Sequence, residues 1–112
     1  MRRTYLGEFE ELVLLMIAIL DGQAYGVTVS QEIEQQTGRL VTFGAVHNTL
    51  IRLEEKGFVR SELGGATMER GGRRKRLFKV TALGSRALQD IQQLRNKLWQ
   101  QMPEDALEIS SL

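Results

Sequence analysis

Positively charged residues are concentrated in one short segment of the chain. Five of the seven residues at positions 70–76 are basic, and two neighbouring glycines, Gly71 and Gly72, interrupt the run. On a narrow loop, such charges could enter a groove lined with phosphates, where each neutralised phosphate releases counterions. We therefore predict that a nucleic acid is the partner and that these side chains contact phosphates or enter the minor groove: Arg70, Arg73, Arg74, Lys75 and Arg76.

A cluster of basic residues can also be an ordinary solvated loop. Five cations within seven residues repel one another, however, and local structure gains little when they are gathered in one place. A polyanionic partner would relieve that repulsion, and Gly71 and Gly72 would let the backbone approach it closely. Binding is therefore the favoured interpretation of this segment.

The segment at residues 43–56 is a second candidate contact surface. Its apolar residues Val46, Leu50 and Leu53 fall on one face of a helix. Taken alone, this pattern describes a plain amphipathic helix, but a helix before it and a basic hairpin after it favour a reader of the major groove. Asparagine and arginine offer the paired hydrogen-bond geometries that suit adenine and guanine. The residues expected to reach base edges, phosphates or the DNA backbone are Thr42, which can also cap the helix, and His47, Asn48 and Arg52.

Catalytic and metal-binding sites find little support in the composition. The chain contains no cysteine, which excludes disulfides, thiolate zinc sites, iron–sulfur clusters and cysteine nucleophiles. It contains one histidine, His47, so a histidine-based metal site or a Ser-His-Asp triad lacks partners. The paired glycines lack the Gly-Lys-Ser/Thr ending of a nucleotide-binding loop. We expect no catalytic residue, no metal site and no cofactor.

The net charge of +1 hides an uneven distribution along the chain. Residues 1–38 have a net charge of −4, residues 39–86 of +7, and residues 87–112 of −2. The middle of the chain is therefore a basic island between two acidic segments, which would orient the molecule as it approaches a polyanion.

The longest apolar run, residues 12–20, has nine residues and follows Glu8, Glu10 and Glu11. It is too short to span a bilayer, and a signal peptide would carry positive charge where these glutamates stand. We predict a core helix that is packed on several sides, no membrane partner and a cytoplasmic location.

Helix and strand signals divide the whole chain into elements. Helices are predicted at residues 6–20, 27–37, 43–56 and 82–101, with Gly38 and Gly57 just past two of their ends and Thr81 capping the last. Strands are predicted at residues 58–63 and 77–80, with a connecting loop at residues 64–72. The tail at residues 104–112, which follows Pro103, is expected to fray.

The last helix carries an apolar stripe that one small domain would not cover. A 4, 3, 4 spacing is typical of a helix that packs against another helix at a shallow angle, and a tryptophan widens the stripe. We therefore predict a homodimer with these residues at its interface: Ala87, Ile91, Leu94, Leu98 and Trp99. In an alternative interpretation, Trp99 forms a platform for a ligand.

This order of elements predicts a mainly α fold with a small β-hairpin, namely a winged helix-turn-helix followed by a C-terminal dimerisation helix. The DNA-binding domain is expected at residues 1–81, the dimerisation helix at residues 82–102 and a tail at residues 103–112.

Four stretches carry a family resemblance. They are Ala24-Tyr25-Gly26, Gly-Ala-Val-His-Asn-Thr-Leu-Ile-Arg-Leu-Glu-Glu-Lys-Gly at residues 44–57, Glu-Arg-Gly-Gly-Arg-Arg-Lys-Arg at residues 69–76, and Leu83-Gly84. Together they resemble the PadR-type transcriptional regulators over residues 6–99, and the most specific parts are the Tyr-Gly pair and the basic run. The family usually places tyrosine where this chain has His47.

The resemblance implies a homodimeric DNA-binding repressor of the short subtype, with a single C-terminal helix. It also implies a small aromatic effector as a further partner, since some members of the family bind flat aromatic compounds near the dimer interface. The candidate residues for such a ligand are Phe9, Leu12 and Trp99.

We therefore predict a transcriptional regulator that binds double-stranded DNA as a homodimer on an inverted-repeat operator. An alternative from another class is a winged-helix protein-interaction module that does not bind DNA. A small enzyme is disfavoured, because the carboxylates are scattered and do not suggest a catalytic pocket.

Overall fold

The computed structural model describes residues 5–64 and 75–107. Its elements follow the predicted order: α1 (Glu8–Leu20), α2 (Gly26–Thr37), α3 (Phe43–Glu55), β1 (Val59–Leu63), β2 (Arg76–Val80) and α4 (Ala82–Gln100), followed by a short 3-10 helix (Glu104–Leu107). This arrangement confirms a mainly α fold with a small β-hairpin, and it is a winged helix-turn-helix with a C-terminal helix.

Local hydrogen bonds set the beginnings of three helices. The backbone amide of Gly7 donates to the Glu10 carboxylate at 2.7 Å at the start of α1. The predicted caps are confirmed, because the hydroxyl of Thr42 accepts from the Ala45 amide and that of Thr81 accepts from the Gly84 amide, both at 3.1 Å. Each cap satisfies an amide that has no partner within its helix.

The core lies where α1, α2, α3 and the hairpin meet. The inner face predicted for α3 is confirmed, since Val46, Leu50 and Leu53 are all buried. The remaining buried apolar residues come from α1, the turn that follows it, α2 and the hairpin: Val13, Leu14, Met16, Ile17, Ala24, Val29, Ile33, Phe58, Val59 and Phe78. Burial of this apolar surface stabilises the three-helix arrangement that holds α3 in place.

The expectation that α1 is packed on several sides is wrong. Leu15 and Ile19 are exposed, although Val13, Leu14 and Ile17 on the opposite face are fully buried. The physical reason is geometric, because the elements that pack against α1 leave the side of Leu15 and Ile19 open. An apolar face of α1 therefore remains uncovered in the single chain.

The hairpin is antiparallel and is attached to the helices by its backbone. Val59 pairs with Val80 at one end and Leu63 with Arg76 at the other, and the Gly64 amide extends the pairing by donating to the Lys75 carbonyl. The Phe78 amide donates to the Ala24 carbonyl at 2.9 Å, so β2 is joined to the turn between α1 and α2. Most of the connecting loop predicted at residues 64–72 lies outside the described residues.

Helix α4 begins in close contact with the hairpin, and its later turns are mostly exposed to solvent. A Cβ atom at Gly84 would overlap the carbonyl oxygen of Phe58, so only glycine allows this approach. Further along, Arg95 forms an ion pair with Glu11 of α1 at 3.2 Å. Gly84 is the only buried residue of α4, and most of the helix surface is open to solvent.

The short 3-10 helix Glu104–Leu107 corrects the expectation that the tail frays from residue 104; the rest of the tail lies outside the described residues. In the described part of the chain, no helix combines the length and the apolar character needed to cross a membrane.

Candidate nucleic-acid interface

The outer face of α3 carries three of the residues predicted to contact nucleic acid. His47 and Asn48 are exposed, and Thr42 is exposed at the helix start while its hydroxyl serves as the cap. Gly44 lies between them on the same face, and a Cβ atom built there meets no neighbour within 4 Å. This face is therefore open enough for another molecule to approach the helix backbone closely.

Arg52 is placed differently from the other α3 candidates. Its Nε atom lies 3.4 Å from a carboxylate oxygen of Glu10 in α1, and its Nη2 atom lies 3.5 Å from the hydroxyl of Thr49. More than half of the Arg52 side chain nevertheless remains exposed. The guanidinium group is thus oriented by α1 while part of it faces solvent.

Glu10 is the centre of a charge cluster that sequence reasoning missed. Its side chain is 10% exposed, and the Lys56 ammonium group lies 2.9 Å from both of its carboxylate oxygens. Burial alone would raise the pKa of Glu10. The hydrogen bond from the Gly7 amide and the positive charges of Lys56 and Arg52 outweigh burial, so the pKa of Glu10 lies below its ordinary value. The carboxylate links α1 to Arg52 in the last turn of α3 and to Lys56 just after that helix.

Two of the five predicted basic loop residues, Lys75 and Arg76, can be placed; Arg70, Arg73 and Arg74 lie outside the described residues. Arg76 donates to the Ser61 hydroxyl at 3.0 Å, and that hydroxyl donates to the Glu54 carboxylate at 2.8 Å. Side-chain hydrogen bonds thus connect β2, β1 and α3. They hold the loop end of the hairpin next to the C-terminal half of α3.

Lys75 contacts the turn before α2. Its ammonium group lies 3.1 Å from the Tyr25 hydroxyl and 4.5 Å from the centre of the Tyr25 ring. Both contacts are favourable, the second through the negative face of the aromatic ring. Tyr25 belongs to the Tyr-Gly pair noted in the sequence, but no local pattern could have shown that it contacts a residue 50 positions away.

The five residues predicted at a dimer interface form a stripe along α4 whose exposure increases toward the end of the helix. Ala87 and Ile91 are half-buried near the domain, whereas Leu98 is 53% exposed and Trp99 60% exposed. Leu94, also exposed, helps to line a groove of about 720 Å³ whose walls include Leu6 and Ile91. The first residues of the stripe therefore pack against the domain, and its last residues form an apolar surface that is open to solvent.

The three residues predicted to bind a ligand lie apart from this groove. Phe9 and Leu12 are half-buried on α1, with the Arg39 guanidinium 5.1 Å from the centre of the Phe9 ring. Neither they nor Trp99 line the 720 Å³ groove or a smaller one of about 360 Å³ between α1, β2 and α4. Among the described residues, no cluster of three or more histidine, cysteine, aspartate or glutamate side chains could hold a metal ion.

Comparisons with known proteins identify a single family. The model of the transcriptional regulator PadR-like family matches residues 14–90, and no curated protein matches the chain. The chain is similar in fold to a PadR-like transcriptional regulator from Bacillus cereus, with 17% sequence identity, a TM-score of 0.67 and coverage of 82% of this chain and 84% of that chain.

Two further solved structures are similar. A PadR-like transcription factor from Bacteroides fragilis has 20% identity and a TM-score of 0.69, with coverage of 82% of this chain and 84% of that chain. A PadR family transcriptional regulator from Eggerthella lenta has 22% identity and a TM-score of 0.64, with coverage of 83% and 80%.

Proposed function

Because the chain belongs to the PadR-like family of transcriptional regulators, we propose that it represses transcription by binding an inverted-repeat DNA operator as a homodimer. The observation that carries this proposal is the open outer face of α3, which is held beside a hairpin whose loop sequence is strongly basic. This arrangement would bring a helix for the major groove and cations for the phosphates to one side of the domain.

We assign the two elements different tasks. His47 and Asn48 are exposed on α3 and would contact base edges, with Arg52 contacting a base or a phosphate and Thr42 lying near the DNA backbone. Phosphate or minor-groove contacts would come from the basic loop residues: Arg70, Arg73, Arg74, Lys75 and Arg76.

The dimer would form through α4, which we assign as the dimerisation helix at residues 82–102, leaving residues 1–81 as the DNA-binding domain and 103–112 as a tail. The exposed side chains of Leu94, Leu98 and Trp99 support this assignment, because a small domain does not leave such a stripe in water without a partner. The uncovered Leu15 and Ile19 on α1 add a second apolar surface that a partner could bury.

We retain a small aromatic effector as part of the proposal. Binding near Phe9, Leu12 and Trp99 would change how the two subunits pack and so release the operator. The protein would act in the cytoplasm, where its DNA target lies.

The test compares DNA affinity at two salt concentrations. A steep loss of affinity at higher salt supports DNA binding, because released counterions drive the association. Weak binding that salt does not change would instead support a protein-interaction module, which is the rival interpretation.

Variants sharpen this test. Arg73→Gln/Arg74→Gln should weaken binding to every sequence and reduce the salt dependence, whereas Asn48→Ala should relax the preference for particular bases. The matched control, Arg2→Gln/Arg3→Gln, removes the same two charges far from the basic loop in the sequence. If the control and the loop variant behave alike, the loop has no special role.

A further inference from the structure

Phe43 is an exposed aromatic residue at the start of α3. It is the first residue of the helix, and 55% of its surface is exposed. The core beneath α3 is already closed by Val46 and Leu50, which are buried, so Phe43 is not needed to fill it. An aromatic ring buries a large apolar area when another molecule covers it, so the exposed part of Phe43 is available for such a contact.

Two neighbours fix the direction of this ring. On one side lies Gly26, where an added Cβ would come within 2.6 Å of the ring atom Cε1. One helical turn further along, His47 stacks against it, with ring centres 5.9 Å apart and planes inclined by 15°. Phe43 is therefore held in one orientation although much of its surface remains free.

The chemistry of the major groove offers one apolar group to such a ring. Residues in the first turn of a recognition helix contact base edges, and those edges are hydrogen-bond donors and acceptors except for the 5-methyl group of thymine. A phenyl ring gains nothing from the polar groups, but it can cover the methyl group.

From this geometry we infer that Phe43, oriented by His47 and Gly26, covers the 5-methyl group of one thymine in each half of the operator. This inference rests on the proposed DNA-binding function and makes Phe43 a residue that determines sequence specificity. Ile51 is also exposed on this helix, two turns further on, and serves as the matched control.

The experiment replaces thymine by deoxyuridine, which removes the methyl group and keeps the base pair. The probe is the tightest-binding duplex that the full-length wild-type protein selects from a randomised library. Each thymine is replaced in turn, at symmetry-related positions of both half-sites.

At one such position we expect the affinity of the wild-type protein to fall about fourfold for each methyl group removed. Phe43→Ala and Phe43→Gln should bind the thymine and deoxyuridine duplexes equally well at that position. Ile51→Ala should keep the wild-type discrimination there. The two Phe43 variants differ in polarity, and far-ultraviolet circular dichroism identifies those that fold, so failure of one variant does not prevent the test.

The outcomes separate this inference from the function on which it rests. If the wild-type protein selects a duplex but ignores every deoxyuridine, or if folded Phe43 variants keep the discrimination, the inference is overturned and DNA binding stands. If no duplex is enriched, the proposed function fails and the inference fails with it.

Discussion

The ammonium group of Lys56 lies 2.9 Å from both carboxylate oxygens of Glu10 and also donates to the Tyr5 carbonyl at 2.8 Å. This pair connects the end of α3 to the first turn of α1. The Arg52 guanidinium lies against the same carboxylate. Ion pairs thus join α3, the helix proposed to contact DNA, to α1, which carries an uncovered apolar face. The contribution of these ion pairs to stability can be measured.

Replacing Glu10 should destabilise the fold. Glu10→Gln leaves the Lys56 ammonium group, which is 27% exposed, without its anion, and we expect a loss of about 2 kcal/mol in the free energy of unfolding. Glu8→Gln is the matched control, because Glu8 lies in the same helical turn but pairs with Arg39 in an exposed position. Urea denaturation of both variants measures the difference, and equal losses would contradict the special role of Glu10.

The contribution of Glu10 should also depend on pH. Its pKa is lower in the folded protein than its ordinary value of 4.5, so the folded state holds this proton less tightly than the unfolded state does. The resulting stability is fully present above pH 4.5 and is lost as the pH falls through the folded-state pKa. Urea titrations at a series of acidic pH values should show the wild-type protein converging on Glu10→Gln. A constant difference between them would exclude this mechanism.

Two glycines in helices should respond in opposite ways to alanine. Gly84→Ala should cost about 1–3 kcal/mol, because the new methyl group overlaps the Phe58 carbonyl oxygen and the start of α4 has to move. Gly44→Ala meets no neighbour within 4 Å and should stabilise the protein by about 0.5–1 kcal/mol through helix propensity. Thermal unfolding of the two variants provides the comparison, and destabilisation of similar size at both sites would show that the close approach at Gly84 is unimportant.

The contact between Tyr25 and Lys75 should appear as an energetic coupling. In a double-mutant cycle of Tyr25→Leu and Lys75→Met, the effects on unfolding free energy should be non-additive by about 0.5–1 kcal/mol. The control cycle pairs Tyr25→Leu with Lys79→Met, since Lys79 is an exposed lysine on β2. Additive effects in both cycles would mean that Tyr25 does not hold the loop end of the hairpin.

A charge on the exposed stripe of α4 should separate the proposed dimer. Leu98→Glu places a carboxylate where we expect the two subunits to meet, and the cost of burying it should shift the protein to monomers. Gln92→Glu adds the same charge at another exposed position of α4 and should leave the dimer intact. Sedimentation equilibrium measures the association, with circular dichroism to check folding. A folded Leu98→Glu dimer as tight as the wild-type dimer would place the interface elsewhere.

Sequence reasoning was most successful where structure depends on near neighbours. The caps at Thr42 and Thr81 and the buried face at Val46, Leu50 and Leu53 were all predicted correctly. These features follow from the helical repeat and from hydrogen bonds that span three residues, so residue types in the right order are sufficient to specify them. Each strand begins one residue away from its predicted start, β1 at Val59 and β2 at Arg76, because pairing with the opposite strand decides where a strand begins.

Long-range contacts were beyond the reach of such patterns. Glu10 and Lys56 are 46 positions apart, and Tyr25 and Lys75 are 50 positions apart. In the sequence, Glu10 is one of several helix glutamates, and Lys75 is one of five similar cations. Which of them meets a partner depends on the angles at which helices and strands pack.

The sequence by itself thus determined the order of the elements, the inner faces of the helices and the concentration of positive charge between the two strands, since each depends on composition or on short-range spacing. Tertiary structure alone decided that Arg52 lies against Glu10, that Lys75 contacts Tyr25, that the ring of Phe43 lies against Gly26, and that one face of α1 stays uncovered. These relationships arise only when separate elements pack together, because packing sets the distances between residues that no local period connects.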